Sequence, residues 1–532
     1  MFASLARNVV ITGIAYSVIS VVGLVLAPFL IATYGLAGYG QILLARLFQP
    51  SASFAFIDLG ISEAVTRVVA AARHDRQWDE ASSALTLLTL MALAISAALA
   101  AFVVATAWAM PGWMGIAPDQ IPGFTRVLLL TAAMQPALFL SLVFEGTLKG
   151  FERFKQLRLC EVTSALVYGG LAVAFGLGGW GPNWVAAGLL AGLLLRFLMV
   201  AGFAIAALAA EGAGLSRWSR ATRDSVFRWT RVMLANKILG AIQSHIAAPL
   251  IGLLLGPAAV GAYDAVTRLP RFVKSLLSLL STTVLPVSAG LKARADHGAL
   301  RRLGNYGILG ALLISAPPTL FAMAYSHSLL EYWIGAVAAG FWGWQSAMFL
   351  VTLLNVALSF GGAILLADVV ASSALNRLAL WQTLLQLVVA LALLPLFAQW
   401  TFVIGQVVAV AAVFPFQFAA IRRALDLGDR LLKQFLLLTA VTGLAAFGLR
   451  LLVPAPSLPG LVALAAGFML ATWASLPWLI LRRDERDQLL ARLRLRAARP
   501  APAGADLRFS GAGDMIESVP DDRSRTNGRG LE

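Results

Sequence analysis

Residues 256–286 read GPAAVGAYDAVTRLPRFVKSLLSLLSTTVLP, and the reading of this stretch decides the fold. If 257–274 were a loop, the following helix would start at Ser275 and meet its next charge at Lys292. That leaves roughly 16 residues, interrupted by Pro286 and Gly290, against the ~20 apolar residues that a membrane span needs. The helix must therefore take in Asp264, Arg268, Arg271 and Lys274, which puts cations at bilayer depth. A cation there costs at least ~2.5 kcal/mol even on the lenient insertion scale, and it survives by facing a water-filled cavity or a partner. The competing expectation is that these cations snorkel to a headgroup layer. Asp264, Arg268, Arg271, Lys274 or Ser275, Ser278 and Ser281 or Thr282 recur at steps of three and four, so they form one polar stripe on one helix face.

Composition places the rest of the chain in the same solvent. With 59% hydrophobic and 13% charged residues over 532 positions and a mean hydropathy of +0.81, it is far more apolar than a soluble protein. It reads as an all-α polytopic membrane protein. The apolar run that follows Arg7 is much longer than the ~7–15 residues of a signal-peptide core, so it is expected to be a retained first span. A single Cys, Cys160, allows neither a disulfide framework nor a thiolate metal site within one chain. The net charge of +15 would point to nucleic acid in a soluble protein. Here cytoplasmic loops beside an anionic inner leaflet account for it, and no nucleic-acid partner is expected.

Apolar runs at 9–33, 39–60, 81–110, 124–145, 159–180, 184–210, 229–255, 259–288, 303–330, 341–366, 375–398, 401–420, 431–453 and 459–481 predict about fourteen transmembrane helices. The connections between them fall into two classes. One class holds Arg67, Arg73 and Arg76; Lys149, Arg153, Lys155 and Arg158; Arg217, Arg220, Arg223 and Arg228; Lys292, Arg294, Arg301 and Arg302; Arg422, Arg423, Arg430 and Lys433; and the tail from Arg482. The alternate connections, near 34–38, 111–123, 181–183, 256–258, 331–340, 398–400 and 454–458, hold no Lys or Arg. By the positive-inside rule the first class is cytoplasmic, and both termini are expected inside. The connection at 367–374 fits least well, since Arg377 is its only nearby cation.

Two parts of the chain resemble each other. Gly35-Leu-Ala-Gly-Tyr-Gly40 opens the second helix and precedes Arg46, while Gly256-Pro-Ala-Ala-Val-Gly261 opens the eighth and precedes Arg268. This predicts two six-helix lobes, 1–222 and 223–428, related as a parallel repeat about an axis along the membrane normal. An accessory helix pair (429–482) and a basic, partly disordered cytoplasmic tail (483–532) complete the expected organisation. Polar residues gather on Asn8, Thr12, Tyr16 and Ser20 of the first helix, Arg46, Gln49 and Ser53 of the second, and Asn236, Lys237, Gly240, Ser244 and His245 of the seventh. Such stripes line cavities or join helices.

The chain lacks a G-x-x-x-x-G-K-[ST] phosphate loop, and His74, His245, His297 and His327 have no partners at metal-ligand spacing. No metal or cofactor is therefore expected. His245, alone inside a predicted span, reads either as a satisfied buried imidazole or as a proton-coupling group. Asp58, Glu145 and Asp368 fall at predicted cytoplasmic helix ends, where solvation is expected. Asp264 precedes Arg268 by four residues, so a structural ion pair and an ion-coupling role both fit. Of the predicted external loops only 111–123 is more than a tight turn, and its sole acid is Asp119. That is too little for a membrane glycosyltransferase, polymerase or ligase, and it leaves a transporter.

Several stretches resemble the polysaccharide transporter family, the Wzx-type O-antigen (lipopolysaccharide) and exopolysaccharide flippases of the multidrug/oligosaccharidyl-lipid/polysaccharide exporter superfamily. They are YGLAGYG (34–40), FIDLGISEAVTR (56–67), LKGFERF (148–154), GPAAVGAYDAVTRL (256–269) and VLPVSAGLKARADHGALRRL (284–303). The resemblance implies a two-lobed flippase of the bacterial inner membrane. Its cargo would be an undecaprenyl-diphosphate-linked oligosaccharide, moved by alternating access, with membrane lipids and polysaccharide polymerase and export machinery as partners. A diphosphate needs cations, and Arg46, Lys237, Arg268, Arg271 and Lys274 would supply them from both lobes, with paired donors from arginine. A drug or cation antiporter of the same superfamily, the alternative, calls for acids in the cavity; lipid II is the other cargo to consider.

Overall fold

A computed structural model describes residues 2–480 except 49–59, 215, 218–221, 225, 227–244, 283, 285–287, 289–290, 293–295, 336–339, 366–368, 429 and 455. Without water, every backbone amide of a span must bond within its own segment, and apolar runs of this length therefore fold as helices. Among the described residues every regular element is helical. In chain order these are α1 (Phe2–Ala45), α2 (Ile61–Asp75), α3 (Trp78–Thr106), α4 (Met110–Trp113), α5 (Ile121–Gly150), α6 (Phe154–Leu177), α7 (Pro182–Ala210) and α8 (Ala247–Leu255). Then follow α9 (Pro257–Thr282), α10 (His297–Ala324), α11 (Ser326–Ile334), α12 (Trp342–Leu365), α13 (Val369–Phe397), α14 (Thr401–Ala424), α15 (Arg430–Leu452) and α16 (Leu458–Ile480). Ten helices among the described residues are long and apolar enough to cross a membrane. The protein is an all-α polytopic membrane protein. Two compact units are distinguished, Met1–Leu476 and Pro477–Glu532, and the packing below belongs to the first.

The helix that organises this unit pairwise with its neighbours is α1, which packs along α9 on one side and α6 and α7 on the other. α9 in turn packs on α12, and α12 on α10 and α14. α1 is broken at Gly35 and loses a backbone hydrogen bond at Pro28. At Gly35 the backbone adopts φ 67° and ψ 179°, a region open to glycine alone, so the helix stops at Tyr34 and resumes in a new direction. At Pro28 the ring removes an amide donor and pushes away the carbonyl four residues earlier. That carbonyl, of Leu24, accepts instead from the indole Nε1 of Trp333 at 2.8 Å.

The glycine repeat seen in the sequence has a structural counterpart. Gly256 takes φ 83° and ψ −179°, matching Gly35, and introduces α9 as Gly35 introduces the second limb of α1. The two copies also touch each other reciprocally. A methyl group on Gly40 would overlap the carbonyl oxygen of Pro257, and one on Gly261 would overlap the carbonyl oxygen of Leu36. Leu36 and Pro257 occupy the same position in their repeats, as do Gly40 and Gly261, so the crossing is two-fold symmetric. The backbones come together here because neither glycine carries a side chain, the packing logic of small residues between membrane helices.

Two other stretches singled out in the sequence dock on one another. Gly146 and Gly150 of α5 lie against Val65 and Val69 of α2, where added methyl groups would meet the valine side chains. Lys149 Nζ donates to Ser62 Oγ at 3.0 Å, Arg73 Nη1 donates to the Phe151 carbonyl at 3.3 Å, and Phe151 stacks on Trp78 with ring centroids 5.6 Å apart. The segment that leaves α7 is tied to the start of α3: Ser83 Oγ donates to the Arg217 carbonyl at 2.9 Å, and the Ser216 amide donates to Thr86 Oγ1 at 3.0 Å. α15 packs on α10, with Arg450 over the Tyr325 ring. On the last helix pair Leu444, Leu451, Leu452 and Leu470 are well exposed.

Candidate functional site

α9 is unbroken from Pro257 to Thr282, so Asp264, Arg268 and Arg271 sit inside a helix, as the span-length argument requires. Steps of four and three bring the three side chains together. Arg268 Nε donates to Asp264 Oδ2 at 2.9 Å and Arg271 Nη1 to Oδ1 at 3.3 Å, while Tyr39 of α1 donates its hydroxyl to Oδ2 at 2.6 Å. Asp264 thus has the ion pair anticipated for it, with three donors on one half-buried carboxylate. Arg268 is equally committed: its Nη1 donates to the Gly23 carbonyl at 2.8 Å, and its guanidinium lies 5.6 Å from the Tyr39 ring centroid. The arginine therefore latches α9 to α1 one turn before Pro28.

The remaining cations are less committed. Arg271 is 47% exposed, and Lys274 is exposed; Lys274 has no hydrogen-bond or ion-pair partner among the described residues. Arg268 and Arg271 line a cavity of about 290 Å³ with Ser20, Gly23, Leu24, Phe272 and Ser275. Arg46 follows directly on α1, half-buried and without a side-chain ion pair among the described residues. Tyr168 of α6 lies within electrostatic reach of both Arg46 and Arg268. His245 is half-buried and within electrostatic reach of Arg271. The structure so gathers Arg46, His245, Asp264, Arg268, Arg271 and Lys274 in one region. Lys237 lies outside the described residues, as do Asp58, Asp368, Asn236 and Ser244 and the side chains of Ser278, Ser281 and Thr282.

Arg46 and Arg268 are not repeat equivalents. Aligning Gly35 on Gly256 sets Arg46 against Thr267, and the structure agrees: Arg46 is in the turn after α1, Arg268 in mid-helix.

One cluster escaped the sequence reading. Glu145, expected to be solvated at a helix end, is buried, because Arg196 Nη2 reaches it at 2.6 Å. Arg196 also contacts Glu161 at 3.4 Å, and Glu161 pairs with Arg158 at 2.5 Å. Arg158 Nη1 then donates to the Tyr16 hydroxyl at 3.1 Å, with its guanidinium 4.6 Å from the Tyr16 ring centroid. Two arginines and two glutamates from α5, α6 and α7 neutralise one another and end on a tyrosine of α1. The available signal was Arg196, a lone cation at the centre of the 29-residue α7, since membrane-depth ions seek partners.

Comparison with known proteins places this geometry in a fold and a family. The lipid II flippase MurJ, in an inward-closed conformation, superposes with a TM-score of 0.70 at 12% identity, covering 91% of this chain and 99% of that one. An inward-facing multidrug resistance MATE family transporter of the MOP superfamily gives 0.63 at 13% identity, covering 78% and 94%. A MOP superfamily transporter from Pyrococcus furiosus, described as having a binding pocket of reverse polarity, gives 0.58 at 15%, covering 80% and 96%. At such identities the likeness establishes the fold. A search of curated protein sequences finds no match. The family described as polysaccharide biosynthesis protein matches residues 36–337, more than half of the chain and the part that carries the glycine crossing and the cationic helix. The chain belongs to the polysaccharide biosynthesis protein family.

Proposed function

We propose that the protein is a flippase for an undecaprenyl-diphosphate-linked oligosaccharide, acting in surface polysaccharide biosynthesis at the bacterial inner membrane and catalysing no covalent step. The observation that carries this reading is the charge balance in and around the cavity: Arg268 and Arg271 on its wall, with Arg46 and Lys274 in the same region, against one carboxylate that is already held by three donors. A drug or cation antiporter would need an acid free to take its cargo, and Asp264 is engaged as the buttress of Arg268. A diphosphate matches the surplus of cations, and Arg271 is placed to give it paired donors. In this reading residues 1–222 and 223–428 are two lobes, and the Gly40–Gly261 crossing closes the cavity at the end away from Lys274. Membership of a polysaccharide biosynthesis family and a fold shared with a named flippase support it.

The test is transport in proteoliposomes loaded with fluorescent undecaprenyl-diphosphate oligosaccharide. Wild type moves the lipid across the bilayer. Arg271→Gln keeps much of the side-chain volume and loses one charge-assisted contact, for roughly a ten- to hundredfold loss of apparent affinity, and Arg271→Lys falls between. Wild-type protein that leaves this lipid in place but exchanges a cationic drug for protons would replace this reading with the antiporter.

A further inference from the structure

The region below the cationic cavity carries an aromatic side chain that the diphosphate reading leaves unused. Tyr16, Ser20 and Gly23 follow one another at steps of four and three, so they share a face of α1. Ser20 and Gly23 line the cavity, and Gly23 receives Arg268. Tyr16 continues that face away from Gly23 by seven residues, about 10 Å along the helix. Tyr16 is 42% exposed, so part of this aromatic residue is open to whatever enters beside α1.

What distinguishes Tyr16 from an ordinary exposed aromatic is the structure behind it. Arg158 covers the ring from 4.6 Å and holds the phenol oxygen at 3.1 Å. Arg158 is itself buried and fixed by Glu161, which is fixed by Arg196, which is fixed by Glu145. Three helices contribute two buried charges, Glu145 and Arg158, and two partly buried ones, Glu161 and Arg196, a costly arrangement, and its end point is the orientation of one tyrosine. A ring pinned on one face and open on the other is the geometry of a stacking platform. It lacks a free charge, because the network neutralises itself, so it does not compete with Arg271 and Lys274 for an anion. The ligand that suits such a surface is neutral, with polarised C–H groups to lay on the negative face of the ring and hydroxyls to bond at its rim. A pyranose has both.

We propose that Tyr16 is a stacking platform for a sugar ring of the cargo, with Arg158 as its positioning residue. The inference rests on the diphosphate reading above, since the distance from Gly23 to Tyr16 along α1 fits a sugar attached directly to a diphosphate held at Arg271. Tyr16 then contributes to discrimination between sugar-bearing and bare lipid carriers, and the arginine–glutamate quartet keeps the ring in register.

The experiment measures binding of two probes to purified protein in nanodiscs: undecaprenyl diphosphate, and undecaprenyl diphosphate carrying one N-acetylhexosamine. Tyr16→Ala is expected to weaken the sugar-bearing probe about tenfold and leave the bare diphosphate unchanged. Tyr16→Phe keeps the ring and should stay within about threefold of wild type for both probes. Arg158→Lys, which retains the charge but not the planar contact, is expected to reduce the preference for the sugar-bearing probe without changing affinity for the bare one. Equal loss of both probes in Tyr16→Ala, or no loss of either, overturns the platform. Wild-type protein that binds neither probe overturns the diphosphate reading itself, an outcome distinct from the other two.

Discussion

At the scale of single residues, the two arginines of α9 look alike in sequence and differ in duty. Arg268 spends its donors on Asp264 and on the Gly23 carbonyl, whereas Arg271 makes a longer ion pair at 3.3 Å, lies over the Tyr263 ring and is half exposed. Replacing Arg268 by Gln leaves a mostly buried carboxylate with only the Tyr39 hydroxyl and the longer Arg271 contact, so the loss should be a part of the about 3–5 kcal/mol typical of breaking a buried pair from one side. Arg268→Gln is therefore expected to lower the thermal unfolding midpoint in detergent clearly more than Arg271→Gln. Adding Asp264→Asn to Arg268→Gln should restore part of the loss, because the under-compensated charge is gone. If the double variant is no more stable than Arg268→Gln alone, the pair is not what holds α9 to α1. The sequence showed the i, i+4 spacing of this pair and the stripe it belongs to. It did not show that Arg268 and Trp333 would bond the carbonyls of Gly23 and Leu24, because a backbone acceptor has no signature in side-chain chemistry. Glu145 was misjudged for a related reason: its partner Arg196 lies in another helix, and only packing brings the two together.

At the scale of elements, the glycines separate into those required by conformation and those required by proximity. Gly35 has nothing within 4 Å of where a side chain would begin, yet its positive φ strains any other residue by ~1–3 kcal/mol. Gly40 is helical, and the Pro257 carbonyl occupies the space of its missing side chain. Substitutions therefore fail in different ways. Gly35→Ala is expected to lower stability by about the cost of the strained backbone, with transport retained at matched abundance. Gly40→Val or Gly261→Val forces the crossing apart and is expected to abolish transport, since the end it closes then cannot close. Gly310 of α10, with open space around it and no positive φ, is the control: Gly310→Ala should be neutral or stabilise by ~0.5–1 kcal/mol. Full transport by Gly40→Val would show the crossing to be mere packing. The repeat was legible as a pair of six-residue strings because both backbone and contact demand glycine at set positions. The break of α1 was legible only as a Gly, since a glycine permits a positive φ without requiring it. Helix extents followed from apolar run length for most spans; the span expected at 39–60 is helical to Ala45, with 49–59 outside the described residues, α2 (Ile61–Asp75) lies in an expected connection, and the span expected at 229–255 is described only from His245 onward.

At the scale of the whole molecule, orientation follows from charge, and it can be checked where the structure is well placed to fail. Arg301 and Arg302 lie in the first turns of α10, within a connection rich in cations, while the 331–340 connection at the other end holds none. The 28 residues of α10 rise about 42 Å at 1.5 Å each, more than the ~30 Å hydrocarbon core. One crossing therefore separates Arg302 from α11, and α11, only nine residues long, cannot recross. The positive-inside rule puts Arg302 in the cytoplasm and Gly340 outside. A reporter active only in the cytoplasm should be active when fused after Arg302 and silent when fused after Gly340, with an export-dependent reporter giving the opposite pattern. Activity of the cytoplasmic reporter at both positions would mean that α10 does not span. The pattern reversed at both positions would invert the protein, and the Gly40–Gly261 crossing would then close the cytoplasmic end of the cavity. A flippase inverted in this way would load its cargo from the outer leaflet, against the direction in which surface polysaccharide is assembled, so this one measurement bears on function as well as on topology.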